Sequence, residues 1–92
     1  MQFALITYDI GSDRRRAEVS ALLSEFGPRV QLSVFEVEFA SHRVRASLLA
    51  RLADLIDDAE DQVRIYDLHS ISARRTVLGG RTLEERVPYL IV

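Results

Sequence analysis

A chain of 92 residues with 48% apolar and 28% charged side chains provides for one domain around one modest core. The absence of cysteine excludes a disulfide frame, a thiolate nucleophile and a Cys-ligated zinc site. A formal net charge of −2 argues weakly against a nucleic-acid partner, but its distribution points the other way. All 12 basic residues are arginine, and five of the 14 acids are gathered in Asp54, Asp57, Asp58, Glu60 and Asp61. Outside that stretch 12 arginines face 9 acids. The planar arginine fork suits phosphate, although an all-arginine set equally follows from genomic base composition. No apolar run approaches the roughly 18 residues of a membrane span. The N-terminus reads as a strand, not as a basic region before a cleavable apolar segment, so no membrane and a cytoplasmic location are expected.

Phe3 to Tyr8 reads as a buried strand that runs into Asp9 and the polar turn Gly11-Ser12-Asp13. Ser12 or Asp13 caps a helix, in which Val19, Leu22, Leu23 and Phe26 form one apolar face. Gly27-Pro28 is its stop signal, since glycine tolerates the left-handed conformation and proline cannot continue the helix. From Arg29 to Phe39 apolar residues alternate with polar ones, but the parity changes between Val34 and Phe35. That change predicts either a bulge or two short strands with a tight turn, and no glycine marks the turn. Ser41 caps a second helix with Val44, Leu48, Leu52, Leu55 and Ile56 on its inner face. The acidic stretch after it is expected to be a solvated loop. In the strand Gln62 to Leu68, Val63 and Ile65 share one face, and Arg64, Tyr66 and Leu68 the other. Thr76-Val77-Leu78 is expected as a short strand ended by Gly79-Gly80, and Val87 to Val92 is apolar to the last residue.

With two strands in the middle, this order is an α+β, ferredoxin-like fold, the split βαβ arrangement βαββαβ, with an additional C-terminal strand. One domain over 1–92 is expected, with 76–92 as an extension packing on a partner. Two helices cover one face of the antiparallel sheet and leave apolar side chains on the other. A second copy packed face to face, a homodimer, buries that patch.

Asp9 is the first candidate for chemistry. A carboxylate at a strand end ligates Mg²⁺ or Mn²⁺, ions that take oxygen ligands and keep several waters. The competing role is local: short acids often accept hydrogen bonds from their own turn, here Gly11 to Asp13. A single carboxylate makes a metal site only if a two-fold axis brings two copies together. Arg14, Arg15 and Arg16 crowd the start of the first helix, where their charge adds to the helix dipole field and attracts phosphate. Arg14 and Arg15 read as a solvated face, whereas Arg16 is placed to turn toward Asp9. Arg29 faces the same region or makes a surface ion pair. Tyr8 suits either stacking on a base or a core position with a wet hydroxyl. Phe35 reads as core or interface. His42 and His69 have no metal-ligand spacing partner and read as surface residues.

These residues resemble a known family. Tyr8-Asp9-Ile10 before a polar turn and an arginine-bearing helix is similar to its opening. Gly27-Pro28-Arg29-Val30-Gln31-Leu32-Ser33-Val34-Phe35-Glu36 is similar to its most specific stretch. Leu55-Ile56-Asp57, Val63-Arg64-Ile65-Tyr66 and Leu78-Gly79 look like its later landmarks. The family is the small CRISPR-associated (Cas) nuclease of spacer acquisition, Cas protein two. The resemblance implies two short middle strands, a homodimer with facing sheets, and one Mg²⁺ (or Mn²⁺) shared between the Asp9 carboxylates of both protomers. It implies a metal-dependent endonuclease acting on single-stranded RNA or double-stranded DNA, and a partner in the CRISPR integrase, Cas protein one. The residues it carries to the site are Tyr8, Asp9, Arg16, Arg29 and Phe35. In that role Arg16 and Arg29 hold the phosphate and Tyr8 places the strand. Glu18 stands where some members have a second basic residue and leans toward the alternative, a non-catalytic adaptor that holds DNA between integrase dimers.

Overall fold

The computed structural model describes residues 2–69 and 75–79. Its elements are β1 (Gln2–Asp9), α1 (Asp13–Leu23), β2 (Arg29–Gln31), β3 (Val34–Phe39), α2 (His42–Leu55) and β4 (Gln62–Leu68). The sheet order is β2-β3-β1-β4, and each neighbouring pair is antiparallel. This is the expected ferredoxin-like split βαβ arrangement, with β1 central.

The strand alternation decides which face is covered. Ala4, Ile6 and Tyr8 of β1 and Phe35, Val37 and Phe39 of β3 are buried with Val19, Leu22 and Leu23 of α1 and Leu48 and Leu52 of α2. Val63 and Ile65 of β4 pack against that cluster, as their parity predicts. The opposite face carries Phe3, Leu5, Thr7 and Asp9 beside Val34, Glu36 and Glu38 and beside Arg64, Tyr66 and Leu68. No helix among the described residues covers it, and Tyr66 and Leu68 stay exposed.

Both helices start where the capping residues place them. The Ser12 hydroxyl accepts from the Arg15 N–H at 3.3 Å, and the Ser41 hydroxyl accepts from the Val44 N–H at 3.3 Å. The end of α1 differs from expectation. The helix stops at Leu23, three residues before Phe26. Glu25 and Phe26 donate to Leu22 and Leu23 in tightened turns of 3.1 and 2.9 Å. Phe26 is already drawn to the sheet: its carbonyl accepts the Glu38 N–H, and the Pro28 carbonyl accepts the Glu36 N–H, both at 3.1 Å. Gly27 lies between them without a left-handed backbone. Its role is close approach, since a Cβ there would sit 1.9 Å from the Glu36 carbonyl oxygen.

The parity change after Val34 resolves as two strands. Gln31 and Val34 pair across the two-residue turn Leu32-Ser33, with a register shift between Arg29 and Gln31. Ser33 takes the left-handed conformation, φ 67°, that a glycine would otherwise supply. Its carbonyl is held by the Tyr8 N–H at 3.1 Å, which fixes the turn against the end of β1. Arg75 to Leu78 form no strand within this chain, contrary to the expectation for Thr76-Val77-Leu78, and Val77 and Leu78 are exposed. The expected final strand, Val87 to Val92, lies outside the described residues.

Candidate active site

The end of β1 carries the candidate residues, and the sheet separates them. Tyr8 points to the helix-covered face and Asp9 to the open one, because neighbours in a strand face opposite ways. Beneath the sheet, Tyr8 stacks on Phe35 with ring centroids 6.3 Å apart and planes at 29°. Phe35 is fully enclosed, so it is a core ring and not a stacking platform. Arg29 is its register partner across β2 and β3 and is only 6% exposed. That burial removes the surface position that the ion-pair alternative for Arg29 required.

Burial pushes the Tyr8 phenol above its ordinary pKa. Hydrogen bonding with Ser20 opposes that shift, as do the positive charges of Arg29 and Arg16 and a hydrogen bond with Arg29. Ser20, itself buried, was not picked out from the sequence. The available signal was its spacing: one helical turn beyond Arg16, it shares that residue's side of α1.

Arg16 does not reach toward Asp9. It donates to the Ile10 carbonyl at 2.6 Å and pairs with Asp13. It therefore holds the backbone one residue past Asp9. Arg14 pairs with Glu18 at 2.7 Å on the exposed side of the helix, as a solvated face does.

Arg15 and the acidic stretch depart from the sequence reading together. The Asp61 side chain is fully enclosed, and Arg15 is 16% exposed. Arg15 Nε donates to Asp61 Oδ2 at 2.7 Å and its NH2 donates to Oδ1 at 3.2 Å. Gly11 N–H donates to Asp61 Oδ1 at 2.9 Å, and Asp57 N–H to Oδ2 at 2.8 Å. The Arg15 guanidinium, with those two N–H groups, holds the Asp61 carboxyl well below the usual carboxylate range. The solvated-loop expectation fails at this acid because loop and helix start are adjacent in the fold but 46 residues apart in sequence.

Asp61 thus takes the turn N–H that Asp9 was expected to accept. The Asp9 carboxylate is exposed and has no hydrogen bond or ion pair among the described residues. A carboxylate left in that state fits a hard divalent cation. No group of three or more acids, histidines or cysteines able to hold a metal occurs among the described residues, so among them Asp9 is a lone candidate ligand. His42 and His69 are both exposed, as expected.

The comparisons with known proteins agree on one family. Residues 1–76 match the family model described as CRISPR associated protein Cas2. The chain belongs to the Cas2 family. It is 40% identical over 78 residues to the CRISPR-associated endoribonuclease Cas2 3 of Chloroflexus aurantiacus, covering 85% of this chain and 83% of that protein. Among solved structures it is similar to Streptococcus pyogenes Cas2 at pH 6.5, with a TM-score of 0.74 and 31% identity over 85% of this chain and 99% of that one. It is also similar to a chain of a partial Cas6-RT-Cas1–Cas2 complex, with a TM-score of 0.67 and 38% identity over 75% and 80% of the two chains. The Cas2 match contains β1 to β4, and with them Tyr8, Asp9, Arg16, Arg29, Phe35 and Asp61. No helix of the described residues is long and apolar enough to cross a membrane.

Proposed function

We propose that the chain is a metal-dependent endonuclease of spacer acquisition, cutting single-stranded RNA or double-stranded DNA as a face-to-face homodimer. The observation that carries this reading is the uncommitted Asp9 carboxylate on the open side of the sheet. Relatives named as endoribonucleases and endonucleases support the activity. The uncovered sheet face with Tyr66 and Leu68, and the exposed Val77 and Leu78, support a second copy packing there.

Asp9 from each protomer would hold one Mg²⁺ or Mn²⁺ between them. When bound, such an ion polarises a phosphate oxygen and lowers the pKa of a bound water toward neutrality. The chain's own residues do the rest by position. Arg16 fixes the Ile10 carbonyl beside Asp9, and its partly exposed guanidinium adds positive charge for an approaching phosphate. Tyr8, Ser20, Arg29 and Phe35 form a packed, hydrogen-bonded support under the strand end. For Tyr8 and Arg29, burial gives a positioning role in place of the direct base and phosphate contacts that the resemblance implies. A relative solved within a Cas1–Cas2 complex supports the integrase, Cas protein one, as the partner.

The test is cleavage of labelled RNA and duplex DNA with Mg²⁺ or chelator, for the natural chain and Asp9→Ala. Cleavage that needs the ion and disappears in Asp9→Ala is expected. Cleavage persisting in Asp9→Ala would sink the assignment of Asp9. No cleavage by either form, with integrase binding by both, would leave the adaptor role instead.

A further inference from the structure

The β1–β4 ladder ends at Asp9 opposite Gln62. One step beyond, a side chain continues what the backbones began: Asp61, next to Gln62, accepts the Gly11 N–H, two residues past Asp9. Every oxygen of Asp61 is engaged, by Gly11 and Arg15 on one and by Asp57 and Arg15 on the other. The Arg15 NH2 also reaches Glu60 at 3.1 Å, so the guanidinium is braced by both acids of that loop. Asp61 is enclosed and saturated, and cannot itself take a cation.

An aspartate before a tight turn has a strong local competitor for its lone pairs, namely the turn's own N–H groups. Here that competitor has been removed by a residue from another element. We propose that Asp61 is a positioning residue for Asp9. It satisfies the Gly11 N–H, so the Asp9 carboxylate stays available for the shared cation, and it ties the chain leaving Asp9 to the start of β4. Arg15 sets the orientation of Asp61. The proposal rests on the metal-site reading given above. Loss of Asp61 leaves the Gly11 N–H for Asp9 to capture, which takes Asp9 away from the ion without removing it.

The experiment uses the full chain, Asp61→Ala and Asp61→Asn, with Mn²⁺ as the probe. Mn²⁺ affinity is measured by calorimetry, amide exchange at Gly11 by NMR without metal, and folding by thermal melting. Asp61→Ala should weaken Mn²⁺ binding by about tenfold, the size of effect seen when a group that orients a metal ligand is lost. It should also hand the Gly11 N–H to Asp9, so that exchange at Gly11 stays slow in Asp61→Ala and speeds only when Asp9→Ala is added. Asp61→Asn keeps an oxygen for the Gly11 N–H and should recover much of that affinity. A role confined to stability would lower the melting temperature of both variants and leave Mn²⁺ affinity unchanged, and that result overturns the proposal. Should Asp61→Ala fail to fold, Arg15→Met serves: it removes the guanidinium that orients Asp61 and leaves the carboxylate to the Gly11 and Asp57 N–H groups alone, and unchanged Mn²⁺ affinity there overturns the proposal equally. Absence of Mn²⁺ binding by the natural chain is a different failure, since it removes the metal site along with the role assigned to Asp61.

Discussion

At the scale of single residues, the end of β1 is held by charges that face one another from distant parts of the chain. Asp61 meets Arg15 from α1, with Asp57 and Glu60 of its own loop nearby. Its folded pKa lies below the unfolded value, so its stabilisation is fully present above the ordinary carboxylate pKa of about 4 and is lost as pH falls through the folded value. Urea melts of the natural chain and Asp61→Asn, taken against pH, should differ by a constant amount from about pH 8 to 5 and converge below about pH 4. A difference that persists unchanged into strong acid would contradict the pairing. Little of this was legible in the sequence. Asp61 is the fifth acid of a run whose other members are exposed, and nothing local singles it out. Asp9 was legible as a candidate, because an acid closing an apolar strand is conspicuous. Its freedom from its own turn was not, since that depends on a partner 50 positions past Gly11.

Elements were read best where the pattern is local. Ser12 and Ser41 cap both helices as expected, and the alternation in β3 and β4 sorts inner from outer residues. The end of α1 was misplaced because Phe26 satisfies the helical spacing of Val19, Leu22 and Leu23 while packing from a turn. Its backbone belongs to the sheet edge through the Glu38 N–H. Gly27 follows from the same fact. Its substitution by alanine drives a Cβ into the Glu36 backbone, so Gly27→Ala should destabilise the chain by roughly 3 kcal/mol in a denaturant melt. A loss below about 1 kcal/mol would mean that the strand edge yields, and that the close approach is not what requires glycine. The hairpin turn escaped certainty because Ser33, not glycine, adopts its positive φ, and the stabilising bond comes from Tyr8 in another strand.

At the scale of the whole molecule, the ferredoxin-like order of strands and helices was legible because each element announces itself within its own residues. The proposed association of two chains rests on an apolar face that the described residues leave uncovered. That face also carries Asp9, so covering it with a second copy would bring two acids toward one axis. The central claim is that two chains share one cation through Asp9. Its most direct test is calorimetric titration of the full chain with Mn²⁺, read as ions bound per chain. The account predicts one ion per two chains and none for Asp9→Ala. One ion on every chain, or binding that survives Asp9→Ala, would contradict it.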